Sequence, residues 1–137
     1  MSYAGDVTPQ AAYAAVTGSD RAVLVDVRTR AEWGYVGLPE LATAPRGLVC
    51  IEWSRFPDGS LNPSFVDDLR SAGVEPGDDI YFLCRSGVRS VAAAQAATAA
   101  GLGPAYNILE GFEGPHDADG HRSVSGWKNS GLPWKQG

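Results

Sequence analysis

The sequence predicts an α/β domain with a largely parallel sheet, because short β-branched apolar runs alternate along the chain with helix patterns. Its 137 residues lie within the usual size of one domain, and no repeat, linker or low-complexity tract divides them. We therefore expect a single domain over residues 1–137, with an irregular tail from about residue 111, where Gly, Pro, Asp and Ser are scattered. The predicted strands are Ala22–Val27, Leu48–Ile51, Ile80–Leu83 and Ala105–Leu109.

Four helices are predicted from capping residues, from proline in the first turn and from glycine after the last turn. The third should place Phe65, Val66 and Leu69 on one face, and the fourth is rich in alanine, a strong helix former. The segment Glu75–Asp78 has the composition of a turn. The predicted helices run from Thr8-Pro9 to about Val16, around Arg30–Trp33 after a Thr29 cap, from Asn62-Pro63 to about Ser71, and from about Val88 to Ala100.

Composition and charge exclude several classes of function. The net charge of -5 disfavours nucleic acid and anionic membranes as partners, although a small anionic substrate remains compatible with it. No apolar run is long enough to span a bilayer, and the first 18 residues lack the Lys, Arg and apolar stretch of a secretory signal. We therefore expect a cytoplasmic protein.

The two cysteines, Cys50 and Cys84, are too few for a disulfide scaffold and lack the paired spacing of a zinc site. In a reducing compartment both should be free thiols, and no metal is expected. Cys50 lies in an apolar run without polar neighbours, so we expect it in the core.

Cys84 stands where a predicted buried strand ends, a short loop follows and a helix begins. Such a loop turns backbone N–H groups inward, and the helix start adds partial positive charge. Cysteines in such settings ionise more readily than free thiols, so Cys84 is the candidate nucleophile. Packing requires none of the residues that follow it. The segment is Cys84-Arg85-Ser86-Gly87-Val88-Arg89-Ser90. Its glycine lets the backbone approach a ligand, its serines offer hydroxyl donors and its arginines offer positive charge.

This segment resembles the active-site loop of the rhodaneses. Cysteine-dependent phosphatases have a similar loop with Cys-x5-Arg, whereas Cys84 to Arg89 is Cys-x4-Arg, a tighter ring that suits one extra sulfur atom better than a phosphate. Further likeness covers most of the chain, with a departure in the connection over residues 34–59, where many members have Gly-His-Ile. The similar motifs are Asp26-Val27-Arg28 with Glu32-Trp33, Gly111-Phe112, and Gly126-Trp127-Lys128 with Gly131-Leu132-Pro133-Trp134.

The resemblance implies a three-layer fold with a central, mostly parallel five-stranded sheet and helices on both faces. It also implies a sulfurtransferase of the thiosulfate:cyanide type, in which Cys84 takes sulfur from a small anionic donor and passes it, as a persulfide, to cyanide or a thiol. A thioredoxin-like protein is one candidate acceptor. No metal or organic cofactor is implied. Arg85 is expected to attract the donor, and Arg89 to tie the loop to the domain through Asp26.

Other side chains have two interpretations. Asp26 and Arg28 form either a network that braces the loop or a solvent-exposed pair at a strand end. Glu32 is expected to be a structural partner, and His116 and His121 to lie in a solvated loop. The tryptophans are expected to pack, with Trp53 or Phe56 as alternatives for the rim of the pocket; they are Trp33, Trp53, Trp127 and Trp134.

Three other functions remain open at the level of sequence. A persulfide carrier would deliver sulfur to a protein partner and turn over thiosulfate poorly. A non-catalytic binding module could use the same scaffold, although such modules often lack the cysteine. A phosphatase or arsenate reductase would need the longer loop.

Overall fold

Five parallel strands form the central sheet in the computed structural model, which describes residues 3–55, 58–85, 87–114 and 126–135. The order across the sheet is β1-β6-β5-β2-β4, and every neighbouring pair is parallel. The predicted five-stranded α/β fold is confirmed, and its sheet is wholly parallel. The strands of this sheet are β1 (Gly5–Val7), β2 (Ala22–Asp26), β4 (Leu48–Cys50), β5 (Pro76–Leu83) and β6 (Gly103–Ile108).

The helices are α1 (Pro9–Gly18), α2 (Arg30–Tyr35), α3 (Phe65–Ser71) and α4 (Val88–Ala99). Thr8 caps α1, because its side chain accepts a hydrogen bond from the N–H of Ala11 at 3.1 Å. Thr29 and Glu32 form a reciprocal capping box at the start of α2. The prediction that Asn62-Pro63 begins α3 is wrong. The Asn62 side chain accepts from the N–H of Ser64 at 3.0 Å, and this local turn delays the helix.

Residues of β2 alternate between the two faces of the sheet, which separates two hydrophobic clusters. Val23 and Val25 face the cluster that contains apolar residues of α3 and α4. Leu24 faces the other cluster, which contains Ala12 and Val16 of α1. The sheet is thus buried on both faces, as expected for parallel strands, and the three-layer arrangement is confirmed.

Three short strands lie outside the predicted set. Strand β1 was not predicted, and a second sheet pairs β3 (Leu38–Pro39) antiparallel with β7 (Trp134–Lys135) near the end of the chain. The predicted turn at Glu75–Asp78 overlaps the start of β5, where the register shifts between Pro76 and Ile80. None of the helices in the described parts of the chain has both the length and the apolar character needed to cross a bilayer.

The prediction that Cys50 lies in the core is wrong. Cys50 ends β4, the edge strand of the sheet, and the residue is partly exposed to solvent. Partial burial, reinforced by the Asp26 carboxylate opposite it in the neighbouring strand, raises the pKa of the Cys50 thiol to about 12. An apolar run in the sequence could not reveal that this strand lies at an edge.

Candidate active site

Cys84 follows directly after β5, at the carboxyl edge of the sheet where parallel α/β proteins place their sites. The N–H of Gly87 donates to its sulfur at 3.1 Å, and the hydroxyl oxygen of Ser90 lies 3.2 Å from the sulfur. Gly87 has φ of 118°, in the left-handed region that favours glycine. Both partners of the sulfur therefore come from the start of α4, Gly87 as its N-cap and Ser90 from its first turn.

The sulfur is buried as well as hydrogen-bonded, since Cys84 is only 1% exposed and packs within the core. Its polar contacts nevertheless differ from those of an ordinary core cysteine, because a backbone N–H and a hydroxyl meet the sulfur. Arg89 adds positive charge, and its electrostatic interaction with Cys84 helps to raise the pKa of the guanidinium, after the larger effect of Glu32. The predicted polar setting around Cys84 is therefore present, on a sulfur that has little contact with solvent.

Ser90 connects the sulfur to a chain of polar groups that reaches the edge of the sheet. Its hydroxyl donates to Oδ1 of Asn107 at 2.5 Å, and the Nδ2 group of Asn107 donates to Asp6 at 3.0 Å. Tyr3 also donates to Asp6, at 2.8 Å. Ser90 and Asn107 are buried, so this series of hydrogen bonds fixes the polar environment of the sulfur on the side away from solvent.

Arg89 ties the loop to α2 rather than to Asp26. Its guanidinium donates to both carboxylate oxygens of Glu32, at 2.7 and 2.9 Å. Burial raises the pKa of Glu32, but the hydrogen bonds and charge of Arg89, with those from Thr29, outweigh this effect and lower the pKa to about 2. The predicted tie of Arg89 to Asp26 is wrong, because Arg28 already occupies the Asp26 carboxylate.

The pair of Asp26 and Arg28 is completely buried, which excludes the interpretation as an exposed strand-end pair. The Arg28 side chain donates to both oxygens of Asp26, at 2.6 to 3.1 Å, and to the carbonyl of Gly37 at 2.7 Å. Its guanidinium also lies over the ring of Phe112, 4.3 Å from the centroid. Because the N–H of Phe112 donates to the carbonyl of Cys84 at 2.8 Å, the buried pair supports the loop through Phe112.

The turn at residues 111–114 fits closely against the loop backbone. The N–H of Phe112 donates to the carbonyl of Cys84, and the N–H of Glu113 donates to the carbonyl of Arg85 at 3.0 Å. Gly111 has φ of 60°, and a Cβ there would collide with the carbonyl oxygen of Cys84. Trp127, fully buried, closes the layer behind this turn by donating its backbone N–H to Gly111 at 2.8 Å.

Arg85 is half-exposed and forms an ion pair with Glu113 at 3.2 Å. Both line a cavity of about 630 Å³ beside the loop, together with Arg89, Glu32 and Arg55. Cys84 is not among the residues that line this cavity. Arg85 thus lies where we expected it, at the opening beside the loop, but a carboxylate already balances its charge.

The remaining predicted residues take different positions. Val88 is 80% exposed, in the first turn of α4. Trp53 packs edge-on against the ring of Phe65, 5.0 Å between centroids, and does not line the cavity. No group of three or more His, Cys, Asp or Glu able to hold a metal occurs within residues 3–55, 58–85, 87–114 and 126–135. Predictions for Ser86, Phe56, His116 and His121 lie outside the described residues.

Three polar residues of the site were not predicted from the sequence. Asp6 and Asn107 are 101 positions apart, and they meet only because β1 pairs with β6. Glu113 follows the Gly111-Phe112 motif, and its acidic side chain was the one available signal of a partner for Arg85.

The family model described as "STR4 middle domain" matches residues 4–137. A solved structure, "Crystal structure of Rv0390 from M. tuberculosis", is 51% identical, covers 99% of this chain and 100% of that chain, and has a TM-score of 0.90. The polysulfide-sulfur transferase homodimer of Wolinella succinogenes is 19% identical, with a TM-score of 0.67 over 95% of this chain and 77% of that chain, which shows a shared fold. "Rhodanese-like domain-containing protein 4, chloroplastic" of Arabidopsis thaliana is 31% identical over 90% of this chain, which spans only 24% of that protein. The chain therefore belongs to the STR4 middle domain family and is a rhodanese-like domain.

Proposed function

We propose that the protein is a sulfurtransferase that carries sulfane sulfur as a persulfide on Cys84. One observation supports this most directly: the sulfur lies at the end of a buried strand, with the N–H of Gly87 donating to it at 3.1 Å at the start of α4. Such a donor stabilises negative charge on sulfur and leaves the inner sulfur of a persulfide hydrogen-bonded. The relationship to sulfurtransferases, including the name of the Wolinella protein with the same fold, adds support.

In the proposed first step, the Cys84 thiolate attacks the outer sulfur of a donor such as thiosulfate. A new S–S bond forms on Cys84, and the S–S bond of thiosulfate breaks, so that sulfite leaves with the electron pair. In the second step, cyanide or a thiolate attacks the outer sulfur of the persulfide, and Cys84 leaves as a thiolate. Each step is a displacement at sulfur that needs no external oxidant or reductant, and the two-step course predicts ping-pong kinetics.

The arginines of the loop have separate roles in this proposal. Arg85, half-exposed at the cavity, meets the anionic donor. Arg89, held by both oxygens of Glu32, positions the start of α4 over the sulfur. Proposed acceptors are cyanide or a cellular thiol, with a thioredoxin-like protein as one candidate.

A persulfide carrier is the second candidate, and the pairing of both loop arginines favours it. Arg85 and Arg89 are each paired with a carboxylate, Glu113 and Glu32. Paired charges attract a free anion weakly, because the neighbouring carboxylate cancels most of the field of each cation at the distance from which an anion approaches. A carrier that receives sulfur from a protein or thiol persulfide needs no such attraction.

Intact-mass spectrometry separates these candidates. The purified protein is mixed with thiosulfate or with a persulfidated thiol, and its mass is compared with that of Cys84→Ser treated in the same way. Gain of one sulfur atom from thiosulfate, followed by its loss to cyanide, supports the enzyme. Gain only from the thiol persulfide, with negligible thiosulfate turnover, supports the carrier. Absence of any Cys84-dependent gain contradicts both.

A further inference from the structure

Ser90 has only one hydroxyl hydrogen, and three acceptors surround its oxygen. Oδ1 of Asn107 is nearest at 2.5 Å, the carbonyl of Gly87 lies at 3.2 Å, and the sulfur of Cys84 lies at 3.2 Å. Two oxygens at 2.5 Å need a hydrogen between them. The amide oxygen of Asn107 carries none, so the hydrogen between these two oxygens belongs to Ser90.

Asp6 determines which end of the Asn107 amide faces Ser90. An ionised carboxylate only accepts hydrogen bonds, so the group 3.0 Å from Asp6 must be the NH2 of Asn107. The opposite end, Oδ1, is therefore directed at Ser90. Tyr3 donates its hydroxyl hydrogen to the same carboxylate oxygen. That hydrogen is therefore not available to the Asn107 amide, and Tyr3 does not favour the reversed orientation, with the amide oxygen towards Asp6.

The direction of this hydrogen has a consequence for Cys84. With its hydrogen on Asn107, Ser90 presents a lone pair to the sulfur, an arrangement that a protonated thiol satisfies by donating its S–H. A thiolate has no hydrogen to donate, so its negative charge would be repelled by that lone pair. To donate to a thiolate, the Ser90 hydroxyl must leave Asn107 and place two oxygen lone pairs 2.5 Å apart in a buried site.

We propose that Asn107, oriented by Asp6, is a positioning residue that restrains ionisation of Cys84 by holding the hydroxyl hydrogen of Ser90 away from the sulfur. If the proposed function holds, the same arrangement favours the persulfide over the free thiolate. In a persulfide the negative charge lies on the outer sulfur, and the inner sulfur has no charge to oppose the lone pair. The restraint thus protects the resting thiol and retains bound sulfur.

The other charged groups around Cys84 occur in pairs. Besides Asp6 on β1, the elements packed around the site carry three ion pairs. They are Asp26 with Arg28 after β2, Glu32 of α2 with Arg89 of α4, and Glu113 of the 111–114 turn with Arg85.

The test is the pH dependence of alkylation of Cys84 by iodoacetamide, measured in a Cys50→Ser background. In Asn107→Ala the Ser90 hydroxyl is free to donate to the thiolate. The half-maximal pH should fall, and the rate at neutral pH should rise roughly tenfold to a hundredfold, the scale of one hydrogen bond to a charged group. Asp6→Asn should shift the profile in the same direction by less. Tyr106→Phe, the neighbouring residue on β6, is the matched control and should leave the profile unchanged.

A double-variant comparison separates this restraint from general loosening of the fold. In a Ser90→Ala background, Asn107→Ala should cause no further shift, because the hydroxyl through which it acts is absent. An equal shift with and without the Ser90 hydroxyl overturns the proposal, as does an unchanged or raised half-maximal pH in Asn107→Ala. If Asn107→Ala does not fold, exposed Asp6 carries the test, and an unchanged profile in Asp6→Asn overturns it. Alkylation uses no sulfur donor, so this outcome is independent of whether Cys84 transfers sulfur.

Discussion

The bidentate pair between Glu32 and Arg89 joins α2 to the first turn of α4, 57 positions away in the sequence. Glu32→Gln removes the negative charge while keeping the size of the side chain. Glutamine also serves in a capping box, so Thr29 can retain its partner at the start of α2. The substitution therefore tests the ion pair itself rather than the helix cap.

The size of the effect follows from the pKa of Glu32, which is lowered from 4.5 to about 2. Each pKa unit corresponds to about 1.4 kcal/mol, so this depression gives an upper bound of roughly 3–4 kcal/mol. The two side chains retain 20% and 23% of their exposure, and after allowance for solvent screening we expect roughly 2 kcal/mol. Because the folded pKa is depressed, the stabilisation is complete above pH 4.5 and is lost as the pH falls towards about 2.

The assay is urea unfolding of both proteins at a series of pH values from neutral to acidic. At neutral pH, Glu32→Gln should unfold with a free energy lower by roughly 2 kcal/mol, and the difference should shrink as the pH falls below 4.5. Glu40→Gln is the matched control, because Glu40 pairs with exposed Lys135 at 3.7 Å and should cost about 0.5 kcal/mol or less. A constant difference between Glu32→Gln and the unaltered protein at all pH values would show that the ionised Glu32 is not the source of the stabilisation.

Three further predictions follow from single contacts. Gly111→Ala should lower the free energy of unfolding by roughly 2–4 kcal/mol, since the added Cβ collides with the loop backbone. The control Gly131→Ala, at positive φ but in open space, should lower it by about 1 kcal/mol. Equal losses in the two variants would contradict this prediction. Arg85→Ala should raise the KM for thiosulfate roughly threefold to tenfold, and exposed Arg70→Ala should not; an unchanged KM removes Arg85 from donor binding. In a Cys84→Ser background, Cys50 should react slowly with iodoacetamide near neutral pH. Its pKa of about 12 leaves roughly one part in ten thousand ionised at pH 8. Rapid labelling of Cys50 would contradict the raised pKa.

The central elements were predictable because their signals are local. Residues 22–25 of β2 and 80–83 of β5 are continuous apolar runs, and Thr8 and Thr29 cap helices through contacts three residues away. Strands β1 and β3 are three and two residues long, too short for a periodic pattern. They are strands because β1 pairs with β6, and because β3 pairs with the equally short β7.

The candidate site was predictable to the extent that it is one segment of the chain. The loop from Cys84 brings its own glycine, serine and arginines. Its partners come from elsewhere, and residue types alone could not choose among several carboxylates for Arg89. Asp26 was the wrong choice because its own neighbour Arg28 reaches it within two positions. The path from Ser90 to Asp6 depends on strand order, which no local pattern in the sequence specifies.

The mass of the protein after treatment with a persulfidated thiol and with thiosulfate tests persulfide formation most directly, because it detects sulfur on Cys84 without assuming an acceptor. We expect an added sulfur atom on the unaltered protein, its removal by cyanide or a thiol, and no addition on folded Cys84→Ser. An addition that persists in Cys84→Ser, or none on the unaltered protein with either donor, would contradict it.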